Sequence, residues 1–503
     1  MEKKNVVWEK LSLFVLSVTV LAVVLFWGFN QQMNDKSTVQ SFDGQHLYDE
    51  ITTSELEILI NDIPLELDLT KLHQVATPKL LSTEINNRIS FTTNNKTEVY
   101  INGEKIEENT TFMVDELSPL NNLEIMMKNG QQVRYVELKT LPEDFPTLQF
   151  TGYSTSEGDF YGDLLNDESN SFIFKMSSAG DLLFYFTEFN EHGSLMNFQK
   201  HNVNGEVYYS YFNPSENFKD HLPFTGIEYG AIDIMDCEYH VIDSLELLPS
   251  EKLPQGGYVE NHDFIMIDKN HYLLTGAVDR NVYMDDLGTY TRVKAAYIQE
   301  IKEGEVIFEW DSSDHPELFA QSVENNDYLN VNEYFYAADY AHINSINIDP
   351  VDNNLVISFR NLDEVIKIGR DTGDIHWILG GVGDMFGLED SQKFSRQHYA
   401  KYTKDGTILL FDNGNANEKT RVLEFTLNES DLYLEDFKEY VVEGKYSMAT
   451  GSAMKTESDT IVIGWGLGSY HSLMSELDIN TNKIISEIIP PVEQYSYRVV
   501  KFK

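Results

Sequence analysis

The sequence predicts an all-β chain: a six-bladed β-propeller preceded by a small β-sandwich and an N-terminal transmembrane helix. Three observations lead there. Residues 341–415 hold short apolar or alternating runs (LVISF, EVIKI, IHWIL, ILLF) with turn signals between them, the pattern of a β-meander. One phrase recurs: Leu355 in NLVISFR, Ile408 in TILLFDNGN and Ile461 in TIVIGWGLG each stand second, 53 residues apart, behind a polar turn. A weaker copy lies upstream, with Leu274 matching Leu410. A repeat near 50 residues with four strands per repeat is the signature of a propeller, because one such sheet cannot bury both its faces and must stack in a ring. The chain beyond residue 146 is long enough for six such repeats.

In chain order, residues 11–29 (LSLFVLSVTVLAVVLFWGF) carry no charge and follow Lys3, Lys4 and Lys10. About 28 Å of helix from such a run crosses a bilayer, with the lysines on the cytoplasmic side. No small-x-small cleavage signal follows, so residues 1–30 read as an uncleaved signal anchor and the remainder as extracytoplasmic. Residues 31–43 are a polar linker, and 47–67 are ambiguous between a short helix and extended chain. Residues 88–141 contain strand-like runs and two Asn-Gly turns, Asn102-Gly103 and Asn129-Gly130, which make a small antiparallel sandwich. Domain 31–145 therefore has a packing or homodimer role, and Pro142 and Pro146 mark its end. In the propeller, 146–503, SFIFKMSSAGDLLFYF and VNGEVYYSYFNP are expected in the first blade and GAIDIMDCEYHVIDSLEL in the second. The insertion 312–340 is expected to form loops over the channel mouth.

Composition removes several function classes. A net charge of −45 argues against nucleic acid and against anionic membrane surfaces. The single cysteine, Cys237, cannot close an internal disulfide. No Cys or His spacing resembles a zinc site, and there is no phosphate-cradling G-x-x-x-x-G-K-[ST], so no site metal or cofactor is expected; the abundant Asp and Glu leave a structural calcium open, though no loop spells one out.

Phase within the repeat singles out histidines. Ten residues before Ile408 stands His398; the same phase one copy upstream is His262, and in the copy between it falls at Ser345, three residues after His342. The starts of innermost propeller strands converge at one end of the axis, so three imidazoles from separate blades are expected to meet there.

These residues carry a resemblance. His262-Asp263-Phe264, His342-Ile343-Asn344-Ser345, Ser358-Phe359-Arg360 and Gln397-His398 are similar to motifs of the bacterial arylsulfotransferases. Those enzymes are six-bladed propellers with a β-rich N-terminal domain, and they use no nucleotide sulfate. The similarity runs in register through Gly451-Ser452-Ala453 and Gly464-Trp465-Gly466, over roughly the last 350 residues. It implies that His398 is the nucleophile and becomes a sulfohistidine. It implies that His262 is the general acid/base, and that His342, Asn344 and Arg360 hold the sulfuryl oxygens. The roles of His262 and His342 could be exchanged. The substrates implied are an aryl sulfate donor and a phenolic acceptor, used in ping-pong order.

The residue types suit that chemistry on their own account. Imidazole near neutral pH serves as nucleophile or proton carrier, and guanidinium matches a tetrahedral oxyanion. The plain alternatives are an Arg360 ion pair with Asp363 or Asp371, a turn role for Asn344, and a packing role for His376 beside Trp377. Asp412-Asn413-Gly414 either orients a site histidine or makes a tight turn, and His471 is undecided. The competing function is a membrane-tethered propeller that binds a ligand or partner without chemistry.

Overall fold

The computed structural model describes residues 56–503 except 61–62, 66, 68–71, 77–86, 94–95, 109, 115–122, 131, 139–140, 142–144, 166–170, 188–193, 216–225, 330–336, 469–471 and 492–493. The expected membrane helix at 11–29 and His471 lie outside these residues. Among the described residues no helix is long and apolar enough to cross a membrane.

The N-terminal region is two sheets. One has the order Ile63–Pro64, Leu56–Ile60, Asn87–Thr93, Thr111–Val114; the other runs His73–Ala76, Gln132–Leu138, Leu123–Asn129, Glu98–Ile101, Glu104–Ile106. The described part of the ambiguous stretch is therefore strand, and Leu56, Ile58 and Ile60 alternate inward. The Asn102-Gly103 turn takes positive φ at both residues, 48° and 82°, which matches the twist of a two-residue hairpin. One pair departs from the antiparallel expectation: His73–Ala76 runs parallel to Gln132–Leu138.

From residue 149 the described residues form six antiparallel sheets, called blades 1 to 6 here. Blade 2 is Met196–Val203, Glu206–Pro214, Tyr229–Met235 and Val241–Leu245, and blade 3 is Phe264–Asp268, His271–Met284, Thr289–Lys302 and Glu305–Asp311. Blade 4 is Ile343–Ile348, Leu355–Phe359, Glu364–Ile368 and Ile375–Gly380. Blade 5 is His398–Tyr402, Ile408–Asp412, Arg421–Asn428 and Tyr433–Tyr440, and blade 6 is Ser452–Lys455, Thr460–Gly464, Met474–Asp478 and Lys483–Ile489. Blade 1 takes Asp159–Leu164, Phe172–Met176 and Leu182–Phe186 from the start of the ring and Val499–Phe502 from its end, the latter innermost. Gln149–Gly152 adds to the outer edge of blade 6. Successive innermost strands contact one another from blade 2 through blade 6 to Val499–Phe502, and Asp159–Leu164 of blade 1 contacts Met196–Val203 of blade 2, so the ring is closed and propeller-like. The assignment of Glu206–Pro214 to the first blade is corrected: this strand pairs with Met196–Val203 and Tyr229–Met235 in blade 2.

The recurring phrase marks the second strand of blades 4, 5 and 6, and all five residues of each are buried. Leu355 and Ile357 pack toward blade 3, while Val356 packs toward blade 5. A strand covered on both faces loses the period-two alternation and reads as an unbroken apolar run. That is why the repeat was visible in the sequence.

Candidate active site

Each histidine sits at the head of an innermost strand. His262 precedes Phe264–Asp268, His342 precedes Ile343–Ile348, and His398 opens His398–Tyr402. Adjacent blades bring them together: ring centroids are 4.8 Å apart for His262 and His342, and 5.7 Å for His262 and His398. All three are buried.

The Nδ1 of His398 lies 3.0 Å from the Gly451 carbonyl oxygen. A carbonyl only accepts, so Nδ1 carries the hydrogen and Nε2 keeps its lone pair. Burial, reinforced by Arg498 and by the neighbouring imidazoles, holds the His398 pKa well below the ordinary 6.5. Both effects favour the uncharged ring, with its lone pair on Nε2.

The other two have acidic partners. His262 Nδ1 meets the Glu260 carboxylate and His342 Nδ1 lies 2.6 Å from Asp339 Oδ2. The two Nε2 atoms are 3.2 Å apart. Burial pushes the His262 pKa down against the pull of Glu260. The short strand Val259–Glu260, paired to Tyr229–Met235, fixes Glu260, which also accepts from the Thr275 hydroxyl and the His262 amide.

Arg498, just before the closing strand, is the cation that acts electrostatically on both His262 and His398. It donates to the Asn344 carbonyl at 2.6 Å and to Asn197 Oδ1 at 3.2 Å, and lies 3.6 Å from Asp263 Oδ1. Its guanidinium carbon stands 4.5 Å from the Tyr399 ring centroid and 4.9 Å from that of Tyr497. Asp263 also accepts from Lys401 at 2.5 Å and from the Ile346 amide at 3.0 Å. Burial pushes Asp263 up, but Lys401 and Arg498 outweigh it and hold the carboxyl below its usual range. Arg498 Nε and Asn344 Oδ1 are buried without a hydrogen-bond partner, while Asn344 Nδ2 donates to the Gln397 carbonyl at 2.7 Å. Unpaired buried polar atoms at a cluster of imidazoles are positions for a polar ligand.

Arg360 is placed differently. Its amide donates to the His342 carbonyl at 2.9 Å, but its guanidinium pairs with Glu324 at 3.2 Å. The expected alternative partners are corrected: Asp363 pairs with Arg396 at 2.8 Å, and Arg396 shares Glu324. Asp412 ends its strand bound to Arg421 and the Ser395 and Gly414 amides rather than to a histidine, while Asn413 donates to the Ser447 and Thr450 carbonyls, next to the Gly451 carbonyl that holds His398. His376 is exposed on the outer strand of blade 4, neither packed in the core nor near the site.

A cavity of about 560 Å³ is lined by residues of the innermost strands such as Phe264, Ile346, Tyr399, Lys401 and Lys455. None of the three histidines lines it. Among the described residues one carboxylate trio, Asp349, Asp352 and Glu429, has metal-like spacing. The Lys367 ammonium already sits among them at 2.7, 2.7 and 2.5 Å.

Sequence reading missed Arg498, Tyr497, Glu260 and Asp339. The two acids had a signal: each stands two or three residues before its histidine, whereas His398 has Arg396 there. Arg498 had none short of knowing which strand closes the ring.

The arylsulfotransferase (ASST) family model matches residues 203–498. No curated protein sequence matches the chain significantly. Solved structures similar to it include a nidogen/laminin complex (10% identity, TM-score 0.34, covering 68% of this chain and 97% of that one). Two others are the Staphylococcus aureus virginiamycin B lyase with quinupristin (12%, 0.28, 68% and 99%) and Citrobacter koseri AztD (10%, 0.31, 69% and 99%). With the matched region spanning more than half the chain and containing the histidine cluster, the chain belongs to the arylsulfotransferase family.

Proposed function

We propose that the chain is an aryl-sulfate sulfotransferase working in ping-pong order through a sulfohistidine at His398. The observation that carries this reading is the Gly451 carbonyl on His398 Nδ1, which leaves Nε2 as a nucleophilic lone pair beside two imidazoles and a guanidinium. In the first half-reaction Nε2 attacks sulfur, the S–O(aryl) bond breaks, and the leaving phenolate takes a proton from the His262–His342 pair. In the second, an acceptor phenol returns a proton to the pair and its oxygen attacks sulfur. The N–S electron pair then goes back to Nε2. Atoms and protons balance with side chains alone. Arg498 Nε, buried without a partner, donates to the sulfuryl oxygens as charge develops, the kind of fixed donor worth most in a buried site, and Asn344 joins it through the second hydrogen of the Nδ2 that already holds the Gln397 carbonyl. Arg360 joins them when Glu324 releases it. Tyr497, 5.5 Å from His398 by ring centroid, offers a face for the aryl ring.

In this reading 146–503 is the catalytic propeller and 31–145 a packing or homodimer domain. Residues 11–29 anchor both outside the cytoplasm.

The test is incubation with p-nitrophenyl sulfate with and without phenol, followed by mass spectrometry of the His398 peptide. Phenol-dependent release with sulfate mass on His398 is expected, both lost in His398→Ala. Release in water alone would make the chain a sulfatase. No release from either protein would favour the ligand-binding propeller.

A further inference from the structure

Proton counting at the cluster goes beyond the transfer reaction, although it rests on that reading for its assay. Glu260, His262, His342 and Asp339 form one line of three contacts: carboxylate to Nδ1, Nε2 to Nε2 at 3.2 Å, and Nδ1 to carboxylate at 2.6 Å. Each contact needs one hydrogen. Two neutral imidazoles supply two, and ionised carboxylates supply none. Swapping tautomers moves hydrogens along the line without changing their number. With only two, one contact would set lone pair against lone pair in a buried place, where such a clash is least screened.

We infer that Glu260 and Asp339 are positioning residues that make the His262–His342 pair store one extra proton at its centre, ready for the leaving phenolate. His398, whose Nδ1 partner is a carbonyl, stores none. Loss of the proton to a phenolate leaves the two Nε2 lone pairs facing, so the emptied pair draws the proton of the incoming phenol. One line of residues is acid in the first half-reaction and base in the second. The charged and titratable groups facing the pair are Glu260, Asp339, His398, Arg498 and Tyr497. Both carboxylates are buried, so water does not stand in for either.

The experiment compares two donors in wild type, Glu260→Gln and Asp339→Asn, following phenol release in the first half-reaction before any acceptor is added. One donor is nitrophenyl sulfate, whose phenolate leaves unaided. The other releases a phenol of ordinary pKa, about 10, which needs the proton. An amide side chain can itself donate to Nδ1, so either variant closes all three contacts without the stored proton. The ordinary donor should slow by ~10²–10³-fold and the nitrophenyl donor by less than about threefold. Equal slowing with both donors, or none with either, would overturn the inference. Wild type alone gives a second reading that no folding defect can obscure. As pH rises, sulfation by the ordinary donor should decline while that by the nitrophenyl donor does not; parallel profiles would count against the stored proton. If no sulfate reaches His398 at all, the transfer reading fails instead.

Discussion

Two seams of the ring hold the same side chain by different partners. Between blades 3 and 4, His262 and His342 each rest on a buried carboxylate. Between blades 5 and 6, His398 rests on a backbone carbonyl. A carboxylate pulls its imidazole toward the charged form, against the burial that lowers His262, and a carbonyl beside a guanidinium does not; in the proposed reaction the partner of Nδ1 therefore separates the proton-carrying pair from the attacking ring. A histidine's role is thus read from its second nitrogen's neighbour.

The largest effect that would break this comparison is at Arg498. Arg498→Met should lower kcat by ~10²–10³-fold through loss of its donors. It also removes one of the causes that depress His398, so the His398 pKa rises and the acid limb of kcat/KM moves to higher pH. A fall in kcat with no shift of that limb would mean that Arg498 does not tune the carbonyl-bound histidine.

A smaller effect is expected at the rim, where Glu324 occupies two guanidiniums that an anionic donor would otherwise meet. Glu324→Gln should lower KM for the aryl sulfate by roughly three- to tenfold, with kcat changed less than about twofold. The discriminating measurement is steady-state kinetics at two ionic strengths, since a KM change without salt dependence would not be electrostatic.

The smallest effect on activity concerns a carboxyl with no basic partner among the described residues. Glu364 accepts from the Gly383 amide at 2.8 Å and leaves Oε2 buried and unpaired; burial raises its pKa to about 8. A raised folded pKa means that its favourable contribution is complete below the ordinary value near 4.5 and is lost as pH climbs through about 8. Glu364→Gln mimics the protonated form, so its Tm should exceed wild type by several degrees, about 2–4 °C per kcal/mol, above pH 8 and converge with it near pH 4. Thermal melts across that range would show a constant offset if Glu364 were ionised throughout.

Much of the fold was legible because a strand buried on both faces writes an unbroken apolar run, and three blades wrote it 53 residues apart. The histidines were legible by phase, since equal positions in neighbouring blades share one end of the axis. Arg360 was legible as a motif but not as a partner. Its guanidinium follows Glu324, which lies in an insertion outside the repeat.

By itself, then, the chain's order of residues determined the stacked sheets and which imidazoles would gather. Only the closed ring decided the charge beside them. Arg498 stands 154 residues from Asn344, and Gly451 stands 53 from His398. Hydrogen bonds and Coulomb forces act over a few ångströms of space whatever the separation along the chain, so such partners appear only once the last strand has joined the first blade.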